Sequence, residues 1–333
     1  MPRKSRIDAP GALHHIIARG IAKSKIFLDD NDRKNLLDRL GTILTDTKTA
    51  CYAWALMPNH FHLLLRTGSM SISTVMCRLL TGYAIFHNRR HRRHGHLFQN
   101  RYKSILCQED AYLMELVRYI HLNPLRAKIV KALNQLDKYP YAGHSVIMGK
   151  TSNTWQDKNT ILILFAEKTY LARQRYRAFV EKGIAQGRRQ DLIGGGLVRS
   201  VGGWSALRAL RLAKIYQKGD ERILGDGDFV EKTLAEANEA MERKYMLQTK
   251  GFDLNRVASR VADVLGTDIE EVWAAGKHRR IVEARSLLCF WAVKELGISM
   301  SSLSRKLKIS IPAVSKSVVR GDKIAKSKRY LLF

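Results

Sequence analysis

Met57-Pro58-Asn59-His60-Phe61-His62-Leu63-Leu64-Leu65-Arg66 is the stretch whose reading decides the fold. Pro58-Asn59 interrupts two short apolar segments and marks a turn. Cys51 to Met57 before it and His60 to Arg66 after it read as strands. In a strand, residues two apart point to the same face. His60 and His62 therefore project side by side, and Phe61 goes to the other face. Two imidazoles so placed suit one divalent metal. A pair of hydrogen-bonded histidines at a sheet edge fits the same spacing.

The neighbouring segments complete a plan. Leu13 to Ala18 is short, apolar and partly β-branched, which predicts a strand ended by Gly20. Asp29 or Asp30 caps a helix to about Leu44, with Leu36, Leu37, Leu40 and Leu44 on one face. Ile72 to about His87 has helical spacing, and Tyr102 to Cys107 fits a fourth strand. The order β-α-β-β-α-β predicts an α+β, ferredoxin-like domain. A further helix over Asp110 to Leu122 is ended or bent by Pro124.

That last helix opens the run Arg118-Tyr119-Ile120-His121-Leu122-Asn123-Pro124-Leu125-Arg126-Ala127. Leu113, Leu116, Val117 and Ile120 form its apolar stripe, and Tyr119 sits at the flank. Asn123 lies one turn on, on the same side. The pair reads either as a phenol and an amide beside a metal, or as a rim tyrosine and a helix end. Together with His60 and His62 it makes a chemical set. Phosphodiester cleavage needs a nucleophile and a means of polarising the phosphate. A free phenol has a pKa of about 10, so neighbouring charge must raise its ionised fraction.

The 333 residues carry 58 Lys and Arg against 30 Asp and Glu, a net charge of +28. Such an excess repels itself in a compact state and suits a polyanion, of which nucleic acid is the commonest. No apolar stretch is long enough to span a bilayer, so no membrane partner is expected. Cys51, Cys77, Cys107 and Cys289 are scattered and read as thiols in a reducing cytoplasm. Arg89, Arg90, Arg92, Arg93, Arg101 and Lys103 crowd the segment before the fourth strand, with no acid among them. Phosphate contact is expected there, with Phe98 or Tyr102 to stack a base. His87, His91, His94 and His96 read as loop histidines, and His14, His15 and His121 as sheet or helix-surface residues.

The three stretches MPNHFHLLL, GHLFQNRYKS and RYIHLNPLRA together resemble a single-tyrosine HUH transposase, nearest the REP-associated tyrosine transposases, over about residues 8 to 145. The resemblance implies a Mg²⁺- or Mn²⁺-dependent strand transferase acting on single-stranded and hairpin DNA. It implies His60 and His62 as metal ligands, and Tyr119 as the nucleophile that forms a 5′-phosphotyrosine. Asn123 falls where related enzymes place a third polar ligand. Tyr102 and Tyr112 rank below Tyr119. Proteins of this class occur as monomers and as homodimers sharing sites.

Beyond Met148 the pattern turns helical, over Ile161 to Lys182 and Trp204 to Lys218, around a glycine-rich linker at Gly194 to Gly203. In the last block, two helical patterns meet at a turn near Lys308 to Ser310. Ser310 caps the second helix, with Pro312 in its first turn. This is helix-turn-helix spacing, and it predicts exposed Ser315, Lys316, Ser317 and Arg320. Glu283 to Arg285 and the segments through Arg320 resemble the DNA-binding domain of the replication initiator DnaA. The GRDHTTV signature is absent, and Lys308 to Val318 occupies its place. Arg279 and Arg280 add positive charge, so duplex DNA is the expected partner of this block. The expected domains are residues 1–148, catalytic; 149–250, helical and connecting; and 251–333, helix-turn-helix. The whole reads as a transposase working at the bacterial nucleoid. The alternatives are a non-cleaving DNA-binding regulator descended from a transposase and an RNA-binding module.

Overall fold

The computed structural model describes residues 7–8, 11–187, 189, 192, 220, 222–249, 251–276 and 278–332. They fall into two compact units, Met1–Lys232 and Thr233–Phe333. The Gly194 to Gly203 stretch and the helix expected over Trp204 to Lys218 lie outside the described residues. No helix among the described residues is long and apolar enough to cross a membrane.

The first unit follows the order β1 (Leu13–Arg19), α1 (Asp30–Thr47), β2 (Ala50–Met57), β3 (His60–Arg66), α2 (Ile72–Arg90), β4 (Lys103–Cys107) and α3 (Glu109–His121). Asp29 caps α1 by accepting from the backbone N–H of Asp32, and Ser71 caps α2 through Thr74. The strands lie in the order β2-β3-β1-β4, each pair antiparallel. A two-residue strand, β5 (Ile223–Leu224), adds to β4 in parallel. The sequence offered no signal for β5, because two residues carry no period.

Strand alternation builds two cores. Phe61, Leu63 and Leu65 of β3 join Ile16, Trp54 and Leu56 against the apolar stripes of α1 and α2. On the opposite face Leu64, Leu13, Ala53, Ala55 and Ile105 meet Leu113, Leu116, Val117 and Ile120 of α3. That second core also takes in chain beyond the tyrosine helix. It includes α4 (Asn123–Arg126), α5 (Leu133–Leu136), α6 (Gly143–Ile147), α7 (Lys158–Ile163) and α8 (Thr169–Lys182), which contribute Leu136, Ile147, Ile161, Tyr176 and Val180. The single helix expected over Ile161 to Lys182 is two. The chain breaks after Leu164, and Phe165 turns in against Tyr176 and Phe179, at 5.6 Å from each ring.

After α9 (Gly227–Thr249), the second unit contains α10 (Leu254–Leu265), α11 (Ile269–Trp273), α12 (Arg279–Lys294), α13 (Met300–Leu307) and α14 (Ile311–Lys328). Lys308 adopts a left-handed conformation between α13 and α14, and Ser310 caps α14 through Ala313. Lys316 and Arg320 are exposed on one face of α14. Ser315 and Ser317, expected at the surface, are instead buried. The reason is close packing of α14 against α12, which small side chains permit. At Gly321 the two backbones come so near that a Cβ there would sit 2.1 Å from the carbonyl oxygen of Ser286.

That contact gives a first prediction. Gly321→Ala must push the two helices apart and should destabilise the second unit by about 1–3 kcal/mol, the usual cost of overpacking. Lys316→Ala should leave stability unchanged. Chemical denaturation of both variants checks this, and equal midpoints would show that the helices separate freely.

Candidate active site

The site lies on the face of the sheet covered by α3. Because β3 alternates, burying Phe61 in the α1/α2 core turns His60 and His62 toward α3. Register with β1 sets His62 opposite Ile17 and His60 opposite Arg19. His15, two residues before Ile17, shares that face. Its Nε2 lies 2.9 Å from Nδ1 of His62, and the two rings stack at 5.1 Å. His15 is fully buried on a central strand, so it is no surface residue. The His14-His15 pair in an otherwise largely apolar strand gave no sequence signal of this; only the pairing of β1 with β3 reveals it.

His60 is held differently. Its Nδ1 is 2.6 Å from the side-chain oxygen of Asn59, whose amide nitrogen donates to the carbonyl of Lys23 at 3.2 Å. An amide oxygen only accepts, so His60 carries its proton on Nδ1 and has a lone pair on Nε2. When His62 Nδ1 is the donor of its 2.9 Å bond to His15, Nε2 of His62 also has a lone pair. Burial, with Arg19 nearby, lowers the His60 pKa to about 4. Burial first, then His15 and His60, lowers His62 well below the ordinary histidine value. Both rings are neutral at pH 7, as metal ligation requires.

Tyr119 comes to the pair from α3. Its ring stands edge-on to His15 and to His62, each at 6.0 Å between centroids, while His60 and His62 are 5.3 Å apart. Arg126, from α4, lies over the Tyr119 ring at 5.3 Å and donates to the Tyr119 carbonyl at 3.5 Å. The sequence reading gave Arg126 no role. Asn123 begins α4, half-buried, and its amide nitrogen has no hydrogen-bond partner among the described residues. The two neutral imidazoles, 5.3 Å apart, suit a divalent cation; the unpartnered atom of Asn123 is its amide nitrogen, a hydrogen-bond donor and not a ligand.

His121 is buried too. Its Nδ1 meets the hydroxyl of Tyr176 at 2.7 Å, and His144 meets the same oxygen at 2.9 Å. Asp137 then joins His144 and Arg177, each at 2.9 Å. This network binds the end of α3 to α6 and α8.

The basic segment divides by environment. Arg89, Arg92, Arg101 and Lys103 are exposed. Arg93 donates to the carbonyl of His96 at 3.0 Å. Arg90 grips Asp29 and Asp32, so two carboxylates already neutralise it. Tyr102, expected to stack a base, is buried in the α1/α2 core, and Phe98 packs against Phe61 and Tyr83. In the second unit Arg279 and Arg280 open α12 and are exposed. Arg280 also donates to the Gly266 carbonyl at 3.1 Å.

Residues 10–123 match the model of the family described as Transposase IS200 like. That IS200-like segment holds β1 to α3, with His60, His62, Tyr119 and Asn123, and is roughly a third of the chain. No curated protein matches the chain. A solved structure of a REP-associated tyrosine transposase bound to a REP hairpin is similar at 14% identity and a TM-score of 0.38. The similarity covers 47% of this chain and 98% of that one.

A pH dependence follows from the buried rings. His60, His62, His121 and His144 all have folded pKa values depressed chiefly by burial. In the unfolded chain each titrates near ~6.5. Below that value the unfolded state binds more protons, so stability falls as pH drops. Thermal melts of the metal-free protein should shift to lower temperature from about pH 6.5 down towards 4, the window between unfolded and folded values. A midpoint that stays level or rises over that range would contradict neutral histidines.

Proposed function

We propose that the IS200-like segment cuts and rejoins single-stranded DNA, hairpin ends included, by transesterification at Tyr119. The observation that carries this is the meeting of His60 and His62 from β3 with Tyr119 from α3 on one face of the sheet. A Mg²⁺ or Mn²⁺ ion held by His60, His62 and Asn123 supplies Lewis-acid polarisation of the scissile phosphate when bound. The Tyr119 oxygen attacks phosphorus as its proton leaves to solvent. The bond from phosphorus to the 3′ oxygen breaks, and that oxygen takes up a proton. The 5′-phosphotyrosine keeps the energy of the broken linkage available, so attack by a 3′-hydroxyl reverses the step and rejoins the strand.

Other residues support the reaction. His15 fixes the tautomer and ring plane of His62, as an outer partner does for a metal-binding histidine. Arg126 places positive charge over the Tyr119 ring. Arg89, Arg92, Arg93, Arg101 and Lys103 bind backbone phosphates, and Arg90 braces the segment from which they project. The helix-turn-helix of α13 and α14 anchors the protein on duplex DNA through Lys316 and Arg320, with Arg279 and Arg280 adding phosphate contacts. Tyr119 serves the histidines of its own chain, so a homodimer is not needed to complete the site. A bacterial nucleoid is where such a protein works.

The test is a covalent adduct. Labelled single-stranded hairpins incubated with the protein and Mn²⁺ should give a slow band on a denaturing gel. Tyr119→Phe should give none while still binding hairpin, and His60→Ala and His62→Ala should lose adduct but keep most binding. Binding without adduct by the parent protein would favour the non-cleaving regulator, and a preference for RNA hairpins would favour the RNA-binding module. Mixing Tyr119→Phe with His60→Ala protein should not restore the band; restoration would place the tyrosine and histidines in different chains. Arg101→Ala should weaken binding across sequences and lower the salt slope by about one, the mark of a lost phosphate contact.

A further inference from the structure

On the other side of the sheet, α1 and α2 bring together a second group of donors. Asp32, in the first turn of α1, is fully buried. His87 and His91 lie one turn apart at the end of α2, with ring centroids 4.5 Å apart. One donor atom from each of Asp32, His87 and His91 lies within 4.8 Å of the other two. The sequence reading found no acid among these histidines, because the acid comes from another helix.

A hydrogen-bond network accounts for part of this group. Asp32 accepts from the Leu28 backbone N–H at 2.8 Å and from Arg90 at 2.6 Å, and His91 Nε2 is 3.0 Å from both of its oxygens. It does not account for His87. That ring is 2% exposed, and neither of its nitrogens has a hydrogen-bond partner among the described residues. An imidazole buried without a partner costs free energy that a native structure normally avoids. A ligand that takes a lone pair would remove the cost.

We propose that Asp32, His87 and His91 form a zinc site, separate from the catalytic face, that clamps α1 to the end of α2. Two imidazoles and one carboxylate are a nitrogen-rich, borderline-soft set, which suits zinc over magnesium or calcium. Donor atoms on a tetrahedral zinc ion are separated by about 3.3 Å, so small side-chain rotations close the triad. The ion takes the place of the proton now shared between His91 Nε2 and Asp32. That proton goes to solvent or to Nδ1, and water fills the fourth position. Arg90 can yield its share of Asp32 because it also holds both oxygens of Asp29, at 2.7 and 2.5 Å. Occupancy would fix the root of the segment that carries Arg89, Arg92 and Arg93.

The test uses the full chain, stripped with chelator, and zinc chloride alone as the probe. His60→Ala/His62→Ala protein, which lacks the catalytic donors, should still bind one equivalent in equilibrium dialysis and melt at a higher temperature with zinc. Adding His91→Ala, or His87→Phe to fill the buried position, should weaken zinc binding more than ~100-fold, since even outer partners of metal ligands are worth about 10–100-fold. Either variant should melt at the same temperature with and without zinc. Failure of the His60→Ala/His62→Ala protein to bind zinc overturns the proposal. So does unchanged zinc affinity in the His91→Ala protein, where the exchanged ring is partly exposed. Zinc held by His94 and His96 would give that second result.

Discussion

The register of β3 between β2 and β1 is the constraint on which the rest of the first unit depends. Three large apolar side chains, Phe61, Leu63 and Leu65, must enter the α1/α2 core. A slip of one residue would turn His60 and His62 into that core and send all three to the α3 face. Burial of the apolar set therefore fixes the direction of the imidazoles. The same pairing brings His15 across from β1, so the hydrophobic effect on one face organises a polar cluster on the other. Holding those rings in a dry site costs solvation, and the neutral state of His60 and His62 is how that cost is limited.

The elements with a full period were legible. The leucines of α1, the stripes of α2 and α3, and the alternation of β3 each repeat often enough to declare a helix or a strand. Their order gave the β-α-β-β-α-β plan and placed two histidines and a tyrosine on facing elements. What was missed depends on contacts between distant segments. β5 is two residues that pair with β4 from more than a hundred residues away. His15 and Arg126 gain their positions only when strands and helices meet. Asp32 reaches His87 and His91 across two helices. Ser315 and Ser317 are polar by type but small, and close helix packing decides their burial rather than polarity.

Charge follows the same division. Exposed arginines of the 89–103 segment remain solvated, as a run without acids suggests. Arg90 has the same place in the run but a different environment, because Asp29 and Asp32 stand one helix away. A charge pattern read along the chain cannot separate these cases. The separation arises where the end of α2 meets the start of α1.

The setting of Tyr119 extends past the segment that resembles IS200-like transposases. Arg118, the residue before it, stacks on Phe179 at 4.2 Å and pairs with Glu115. Arg126 reaches the Gly183 carbonyl at 3.4 Å, and a Cβ on Gly183 would collide with the Arg118 side chain at 2.6 Å. His121, two residues after Tyr119, is tied to Tyr176. All of these partners but Glu115 lie on or beside α8, beyond residue 123. A nucleophile is useful only if its oxygen is held within about half an ångström of the line of attack. Around Tyr119 on α3, the β-sheet places His15 and His62 against its ring, and α8 braces the neighbouring Arg118 and His121. The helical region after the transposase-like segment is thus part of the structure that holds the proposed catalytic residue.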